Sequence, residues 1–331
     1  MIAFALEEPG KVSLVERPIP QIKSNEALIR LDAAAFNRRD HWIRMGLYAG
    51  IVPSILGSDG CGVVVEIGDT AENQHWLGKQ VILNPNQNWG DDPRFQSKSY
   101  RILGMPADGT LAEYIAIPID RLHEKPTYLN AQEAAALPLG GLTAFRACFY
   151  KGNIEPGMNV LVTGVGGGVA QFAAQFAIAA QANVFVTSGS IDKIDTLTAM
   201  GASGGVSYKE AKWHEKLLRD SGGFDVIIDS AGGPDFNTLL RILKPAGTLV
   251  FYGATLGAVP QLDMPRIFFG QFTIKGTTMG SDTDFTQMLD FVAKHQIHPI
   301  IEPARPLSDA LAAINDLKEG KFFGKIVLNC R

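Results

Sequence analysis

Residues 159–182 have the sequence NVLVTGVGGGVAQFAAQFAIAAQA, which predicts more of the fold than any other stretch of this 331-residue chain. The apolar run at 160–162 is typical of a buried parallel strand. A glycine-rich turn follows it. In the alanine-rich segment after the turn, Phe172 and Phe176 are four residues apart, the spacing of one buried helix face. A strand, a glycine turn and a helix in this order predict a site for the pyrophosphate of a dinucleotide.

The glycines of the turn are expected to contact the cofactor. Gly164 permits a tight turn, and Gly166 allows the backbone to approach a pyrophosphate. The pattern is a variant of Gly-x-Gly-x-x-Gly, because its third position falls on Val169 and the small residue is Ala170. A glycine cluster alone is also compatible with a flexible turn, but the flanking strand and helix favour the dinucleotide site. The turn residues predicted to bind cofactor are Gly164, Gly166, Gly167, Gly168 and Val169.

The sequence on either side predicts two domains that differ in their secondary structure. Strands and helices alternate from residue 159 to 276, which indicates a doubly wound parallel sheet of the α/β class. Before residue 122, short apolar runs are separated by Pro and Gly, as in a partly open β-barrel. A last short strand, expected at 325–329, is placed with this first domain. The predicted domains are a β-rich domain formed by 1–124 and 296–331, and a dinucleotide-binding domain formed by 125–295.

The segment that joins these domains is predicted to be helical. Asn130 is a good cap for a helix beginning at AQEAAAL. Pro138 and the glycines at 140 and 141 are expected to break it, and a second helix is expected from 142 to 150.

Composition and charge narrow the classes of partner. The net charge is −4 and no basic block is present, so we expect neither nucleic acid nor an anionic membrane as a partner. The three cysteines are scattered, which favours free thiols in a reducing compartment, the cytoplasm. Glu7 and Glu8 stand where a signal peptide needs basic residues. No apolar run reaches membrane-spanning length without interruption.

The end of the second strand of the predicted sheet bears on cofactor identity. An NAD enzyme usually carries an acid there, about 20 residues past the glycines, to hold the ribose hydroxyl. This chain has Thr-Ser-Gly-Ser at 187–190, and Lys193 follows in the first turn of the next helix. Hydroxyls and a cation suit a 2′-phosphate, so we predict NADP(H). Asp192 leaves NAD open as an alternative, and Lys193 alone is also compatible with a solvated surface lysine.

No metal site is predicted. Zinc requires Cys, His and carboxylate ligands at defined spacing. The chain has no Cys-x-x-Cys, and its six histidines form no His-x-x-x-His pair. His295 and His298 are three apart, but they stand at a helix end and are expected to be solvated.

The stretch AFNRRDHWIRMGLY, residues 35–48, is dense in polar groups just after an apolar strand. Asn37, Asp40 and Arg44 have spacings of three and four, so a short helix would carry them on one face. Spacing alone favours a capped surface helix with an Asp40–Arg44 ion pair over a substrate site.

The whole chain resembles the medium-chain dehydrogenase/reductase superfamily and, within it, the zinc-free quinone oxidoreductases. Eight motifs occur in the family's order and span nearly all of the sequence. They are NRRDHWIRMGLY, LGSDGCGVVVEIGD, GTLAEYIAIP, AALPLGGLTAFRA, VLVTGVGGGVA, FDVIIDSAGG, GTLVFYG and GKFFGKIVL. The resemblance implies a GroES-like β-rich catalytic domain formed by both ends of the chain and a Rossmann domain between them.

The same resemblance bears on metal. Zinc-using relatives place a Cys where this chain has Asn37, and a His-Glu pair where it has Ser58 and Asp59. Their third ligand falls near Leu139. Their structural-zinc lobe, which has four cysteines, corresponds to 84–108, where this chain has none. The resemblance therefore implies an enzyme without metal, as the residues themselves do.

The resemblance also assigns site residues. Asn37 and Tyr48 would border the substrate and the nicotinamide and form the catalytic pair. Thr143 would lie by the nicotinamide, and Gly189, Lys193 and Tyr208 would hold the 2′-phosphate. The residues assigned to the cofactor in addition to the glycine turn are Thr143, Ser188, Gly189, Lys193, Tyr208, Gly253, Phe323, Gly324 and Lys325.

The expected reaction is hydride transfer from NADPH to a quinone or an α,β-unsaturated carbonyl. Tyr48 would donate a proton or only orient the substrate, and Asn37 would bond the acceptor oxygen. An enoyl-thioester reductase or alcohol dehydrogenase of the same fold is an alternative, as is a non-catalytic NADP(H)-binding sensor. A strand at 272–276 near the sheet edge, preceded by apolar residues 267–269, predicts a homodimer.

Overall fold

A computed structural model describes residues 1–48, 50, 52–68 and 71–331. Asp69, which ends the LGSDGCGVVVEIGD motif, lies outside these ranges. The chain forms two compact units: Met1–Gly140 together with Gly280–Arg331, and Gly141–Met279. They are called the first and second unit below.

The strands are β1 (Ile2–Glu8), β2 (Lys11–Glu16), β3 (Glu26–Ala35), β4 (Ser54–Ile55), β5 (Asp59–Ile67), β6 (Gln80–Leu83), β7 (Asn86–Gln87), β8 (Arg101–Ile102), β9 (Tyr114–Pro118), β10 (Leu122–Glu124), β11 (Asn159–Val162), β12 (Asn183–Ser188), β13 (Gly204–Ser207), β14 (Phe224–Asp229), β15 (Leu243–Phe251), β16 (Thr273–Gly276), β17 (Arg305–Pro306) and β18 (Val327–Asn329).

The α-helices are α1 (Arg38–Arg44), α2 (Ala131–Ala136), α3 (Pro138–Phe145), α4 (Gly168–Ala179), α5 (Ile191–Ala199), α6 (Trp213–Ser221), α7 (Phe236–Ile242), α8 (Met264–Gly270), α9 (Asp282–His295) and α10 (Ala310–Glu319). Short 3₁₀ helices cover Ala71–Trp76, Ile119–Arg121 and Leu307–Asp309, and a π-helix covers Arg146–Lys151. Over the described ranges, no helix combines the length and the apolar character that crossing a bilayer requires.

The second unit has a six-stranded parallel sheet in the order β13–β12–β11–β14–β15–β16. This is the doubly wound order, in which the chain reverses direction of travel next to β11. Residues 160–162 of β11 are fully buried, as are Phe172 and Phe176 of α4. Their burial confirms the parallel strand and the helix face that the sequence predicted, and with them the α/β fold class.

The first unit is built around β3. Its main sheet has the order β10–β6–β5–β3–β18–β17, with β9 also paired to β3, and a smaller sheet has the order β2–β1–β4. The C-terminal strand β18 runs antiparallel to β3, so the end of the chain returns to the first unit as predicted. The strand was expected to begin at 325 and begins at Val327. Residues 299–302 form an isolated bridge, between Ile301 and Lys325.

The division between the units falls at 140/141 and 279/280, where the sequence suggested 124/125 and 295/296. The cause is the packing of α2 and α9. Helix α2 contacts β3 and β5. At the start of α9, Asp282 accepts hydrogen bonds from Arg121, and the Phe285 ring lies 4.7 Å from the His123 ring. Both helices therefore belong to the first unit.

The break predicted at Pro138 is confirmed, because α2 ends at Ala136 and a new helix, α3, begins at the proline. The effect predicted for the glycines was wrong, since both glycines at 140 and 141 lie inside α3. Proline is tolerated in the first turn because its missing N–H has no intrahelical acceptor there. Helix α2 ends just before it, at Ala136, and its Asn130 cap accepts a hydrogen bond from the Glu133 N–H.

Candidate active site

The glycine turn between β11 and α4 is held by hydrogen bonds from its N–H groups to Thr187 of the next strand. Gly164, at φ +64°, donates its N–H to Thr187 Oγ1 at 3.2 Å, and the Val165 N–H donates to the Thr187 carbonyl at 3.0 Å. Helix α4 then begins at Gly168 after Gly167, which has no side chain to cap it. Uncapped N–H groups at the start of a helix suit an anion, and the pyrophosphate site at this turn stays a prediction.

The strand register gathers further polar groups beside this turn. Ser188 pairs with Ser207 between β12 and β13, which places Tyr208 next to the tip of β12. A Cβ added at Gly189 would lie 2.6 Å from Tyr208 Oη and 3.0 Å from Lys209 Cε. A side chain at 189 would have to displace the ends of the tyrosine and the lysine, which fill the space beside the glycine.

Lys193 joins this cluster from α5. Its Nζ would lie 3.1 Å from a Cβ added at Gly166, so the ammonium stands directly beside the glycine turn. Two lysines, one phenol and the hydroxyl of Ser188 thus surround the turn and the tip of β12. Asp192, in the first turn of α5, is the acid in this region. The backbone cradle and its cations fit the phosphates of a nicotinamide dinucleotide. Sequence reasoning missed Lys209, whose only signal was its position after Tyr208.

The other residues assigned to the cofactor lie in several places. Gly253 follows β15, and a Cβ there would lie 3.0 Å from the Ser230 carbonyl, so it belongs to the same edge of the sheet. Thr143 is buried in α3. In the first unit, the Phe323 N–H donates to Glu302 Oε1 at 2.7 Å, and Gly324 adopts φ +76°. For these residues, as for those of the glycine turn and the tip of β12, the cofactor role stays a prediction.

A buried hydrogen-bond network joins Asn37, Asp59 and Lys325 in the first unit. Lys325 Nζ donates to Asn37 Oδ1 at 2.6 Å and to Asp59 Oδ2 at 2.7 Å. Asn37 Nδ2 donates to the same carboxylate oxygen at 2.8 Å. The Leu139 N–H donates to the other oxygen, Asp59 Oδ1, at 2.8 Å. Asp59 is 0% exposed and Lys325 is 2% exposed, so the ion pair lies in the interior.

The sheet register explains how residues so distant in sequence meet. Ala35, at the end of β3, pairs with Asp59 of β5 on one side and with Val327 of β18 on the other. Asn37 follows β3 by two residues, and Lys325 precedes Val327 by two. Three chain segments therefore converge at one edge of the sheet. Lys325, which the sequence assigned to the cofactor, directs its ammonium into this network.

Arg39 occupies the space beside Ser58. Its Nη1 donates to Ser58 Oγ at 2.8 Å and to the Leu103 carbonyl at 2.9 Å. Its guanidinium carbon lies 5.7 Å from the centroid of the Tyr48 ring. Burial lowers the pKa of Arg39 from its usual range. Tyr48 itself is 45% exposed, so its phenol is accessible while Arg39 supports its ring.

The expected Asp40–Arg44 ion pair was wrong. Asp40 is fully buried and accepts hydrogen bonds from the Asn37 N–H at 2.7 Å and the Gly57 N–H at 3.1 Å. Burial raises the pKa of its carboxyl group. Arg44 instead donates to Asn315 Oδ1 at 2.7 Å. Asp40 therefore anchors the start of α1 to the loop before β5, and α1 is not a plain surface helix.

The residues at the expected metal positions do not fit zinc. Protein zinc ligands are thiolates, imidazoles and carboxylates. Here an amide, a hydroxyl and an apolar side chain stand with the Asp59 carboxylate, and that carboxylate is already paired with the Lys325 ammonium. A divalent cation placed among them would be repelled by the lysine. In the part of the chain that the structure describes, no group of three or more His, Cys, Asp or Glu is arranged to hold a metal.

Comparison with known proteins matches both parts of this chain. The family model described as "Alcohol dehydrogenase GroES-like domain" matches residues 23–127, and the one described as "Zinc-binding dehydrogenase" matches residues 168–294. The zinc-type alcohol dehydrogenase-like protein YogA of Leptosphaeria maculans is 39% identical, and the alignment covers 97% of this chain and 94% of that protein.

Two solved structures support the same assignment. A crystal structure of an NAD-dependent alcohol dehydrogenase is 33% identical, has a TM-score of 0.94 and is covered over 99% of both chains. The quinone oxidoreductase of Thermus thermophilus, solved also with NADPH, is 26% identical with a TM-score of 0.81, over 99% of this chain and 100% of that one. These similarities extend over nearly the full length of the present chain and agree with its fold and its glycine turn. The chain is therefore an oxidoreductase that uses a nicotinamide cofactor, and it belongs to the medium-chain dehydrogenase/reductase superfamily.

Proposed function

We propose that this chain is a zinc-free, quinone oxidoreductase-like enzyme that transfers hydride from NADPH to a quinone or an α,β-unsaturated carbonyl. The observation that carries the proposal is the buried network in which Lys325 bonds Asn37 and Asp59. These are two positions that serve metal in zinc-using relatives. Without a Lewis acid, conjugated acceptors are favoured because they are already electron-poor, whereas a simple ketone needs stronger polarisation.

The side chains of the first unit have distinct tasks in this proposal. Bound NADPH supplies the hydride. The Asn37 carboxamide has two N–H groups, one of which is donated to Asp59. The other N–H bonds the acceptor oxygen. Tyr48 is the candidate proton donor to the reduced acceptor, because its phenol is accessible and its ring is held by Arg39. Water is an adequate donor for a quinone, so with that acceptor Tyr48 serves to orient the substrate.

The preference for NADPH over NADH is proposed from the charges around the tip of β12. Lys193, Tyr208 and Lys209 surround Gly166 and Gly189. Cations and a hydroxyl suit a 2′-phosphate, to which they donate charge-assisted hydrogen bonds. Asp192 is the group that argues for NAD. The similar structures include one described as NAD-dependent and one solved with NADPH.

The test is a steady-state screen of the purified enzyme with NADPH, with NADH as the control cofactor. The acceptors are a quinone, an enone, a saturated aldehyde and an enoyl-CoA, and alcohol oxidation is measured in reverse. We expect turnover with the quinone and the enone, greater with NADPH, and no change after treatment with a chelator. Preferred turnover of enoyl-CoA or of an alcohol would replace the proposal by the corresponding rival. NADPH binding without any turnover would indicate a sensor.

The role of Tyr48 is tested in the same screen with Tyr48→Phe. If Tyr48 donates the proton, kcat for the enone falls about 10²-fold, the usual contribution of a positioned acid. Unchanged enone turnover at saturating NADPH would leave Tyr48 only an orienting role.

We also propose a homodimer formed through the edge of the second unit's sheet. Strand β16 ends that sheet. Helix α8 just before it exposes Phe268 to 59% and Phe269 to 80%. Pairing of two such edges would cover the aromatic side chains and the open strand. Light scattering checks the mass in solution, and a monomeric mass would reject the dimer.

A further inference from the structure

Lys325 has a fully enclosed charge that the stability of the fold does not explain. Its ammonium is 2% exposed and is paired with the wholly buried Asp59. Removing two such charges from water costs several kcal/mol per ion, and an apolar pair of similar volume often serves stability as well or better. Because stability does not account for this buried ion pair beside the candidate acceptor site, we look for its role in the reaction.

The hydrogen bonds fix the orientation of the Asn37 carboxamide. Its oxygen accepts from Lys325, and one hydrogen of its nitrogen is donated to Asp59. Exchanging the amide oxygen and nitrogen would place an N–H against an ammonium and an oxygen against a carboxylate, which both charges oppose. Within the described residues, the second N–H of Asn37 makes no hydrogen bond to protein. One oriented donor is therefore left over.

We propose that Lys325 is a positioning residue, whose ammonium fixes and polarises the Asn37 carboxamide so that this remaining N–H stabilises negative charge on the acceptor oxygen. The inference rests on the proposed function, in which Asn37 holds that oxygen. A cation bonded to Oδ1 draws electron density from Nδ2, and hydrogen bonds in series strengthen one another in a low-dielectric interior. The Lys325 ammonium thus lies among residues at the positions of metal ligands in zinc-using relatives. It affects the acceptor by polarising the Asn37 carboxamide.

The electron movement shows which acceptors depend on this donor most. In reduction of an enone, the hydride pair forms a C–H bond at the β-carbon, the C=C π pair shifts, and the carbonyl oxygen becomes negative. The α-carbon of this enolate then takes a proton from Tyr48 or water, the C=O bond re-forms, and NADPH, having given up its hydride, becomes NADP⁺. In an enone the charge rests largely on one oxygen. In a quinone it spreads over the ring and a second oxygen, so loss of one donor matters less.

The decisive variant is Asp59→Asn/Lys325→Met, which removes both buried charges together. Lys325→Met alone would leave Asp59 unpaired in the interior and is expected to destabilise the fold. Asp59→Leu/Lys325→Met is the second variant should the first not fold. Lys125→Met is the matched control, because it removes a half-buried ammonium of the first unit that bonds the Pro126 carbonyl at 3.2 Å. Thermal unfolding and NADPH affinity show that each variant is folded.

Two readouts then measure the donor. The first is the affinity of the NADP⁺-loaded enzyme for 4-nitrophenolate, an oxyanion, compared with the uncharged 4-nitroanisole. The double variant should bind the phenolate about 10-fold more weakly, the scale of one hydrogen bond to a charged group, and the anisole equally. The second is kcat at saturating NADPH. Enone turnover should fall about 10²-fold, as when an oxyanion donor is lost, and quinone turnover less than about 10-fold. Lys125→Met should leave both readouts unchanged.

A purely structural Lys325 gives a different result. A folded double variant whose phenolate affinity and enone kcat both stay near those of the wild type would overturn the inference. Equal losses for enone and quinone would do the same. The proposed function fails separately, if the wild-type enzyme reduces neither acceptor. In that case the phenolate affinities still decide whether Lys325 strengthens the Asn37 donor.

Discussion

The two units hold their candidate sites in opposite ways. The predicted cofactor site of the second unit is made mostly of backbone, from a turn of consecutive glycines and the tips of two adjacent strands. The proposed acceptor site of the first unit is made of side chains, with Asn37, Asp59 and Lys325 drawn from three distant segments. The fold of a backbone site tolerates changes of side chain if its glycines remain, while the lysines beside it bear on affinity for the cofactor. A side-chain network requires every member, because a partner left alone is a buried charge or an unpaired polar group.

The largest difference between the sites should appear in stability. Asp59→Asn removes the counter-charge of a buried ammonium, which is expected to lower the free energy of unfolding by about 3–5 kcal/mol. Adding Lys325→Met should recover much of this loss, because the unpaired cation is then gone. Chemical denaturation of the three proteins measures both effects.

The control for this prediction is a surface pair. Lys79 and Glu124 form an ion pair whose side chains are both exposed, and Glu124→Gln should cost at most about 1 kcal/mol. If Asp59→Asn were no more harmful than Glu124→Gln, the network would not be the tightly coupled group that its geometry indicates.

The same contrast explains how much the sequence could predict. Residues 159–182 are contiguous, so hydrophobic period and glycine spacing were enough to predict strand, turn and helix, and the structure confirms them. The grouping of Tyr208 with Gly189 followed from family resemblance and is explained by the β12–β13 register. Lys209 was missed, because a lone surface-like lysine has no local pattern that marks it.

The acceptor site was less predictable because its contacts are long-range. The spacing of Asp40 and Arg44 indicated a surface ion pair, yet Asp40 turns inward to the N–H groups of Asn37 and Gly57. Nothing local to Lys325 indicates that it meets Asn37, since their contact depends on β3 lying between β5 and β18. Sequence suggested which residues line this site, and only the sheet register showed which of them are bonded.

A second prediction concerns the predicted cofactor site of the second unit. Lys193→Ala should raise the KM for NADPH about 10–100-fold, the range for losing a hydrogen bond to a charged group, and the KM for NADH less. Stability should change little, because Lys193 is only half-buried. Lys216→Ala, at an exposed position of α6, is the matched control. Equal loss with both cofactors would show that Lys193 serves the pyrophosphate and not a 2′-phosphate.

The smallest expected effect is a pH dependence of stability, and it concerns the first unit. Burial, and then the charge of Arg121, lowers the pKa of His123, although Asp282 opposes the shift. Above the unfolded pKa of about 6.5 the ring is neutral in both states, and its contribution to stability is fully present. As pH falls below that value, the unfolded chain takes up a proton before the folded protein does, so stability is lost until the lower folded pKa is passed.

His123→Phe should remove this component, because phenylalanine keeps an aromatic ring against Phe285 and does not titrate. Thermal unfolding between pH 8 and pH 5 should show a shallower fall for the variant, by less than the limit of about 1.4 kcal/mol per pH unit for one proton. Above about pH 7.5 the two slopes should coincide, since the histidine is then neutral whether the chain is folded or not. Parallel curves down to pH 5 would show that the acid sensitivity of this half comes from other groups, and that the His123–Phe285 contact joins β10 to α9 by packing alone.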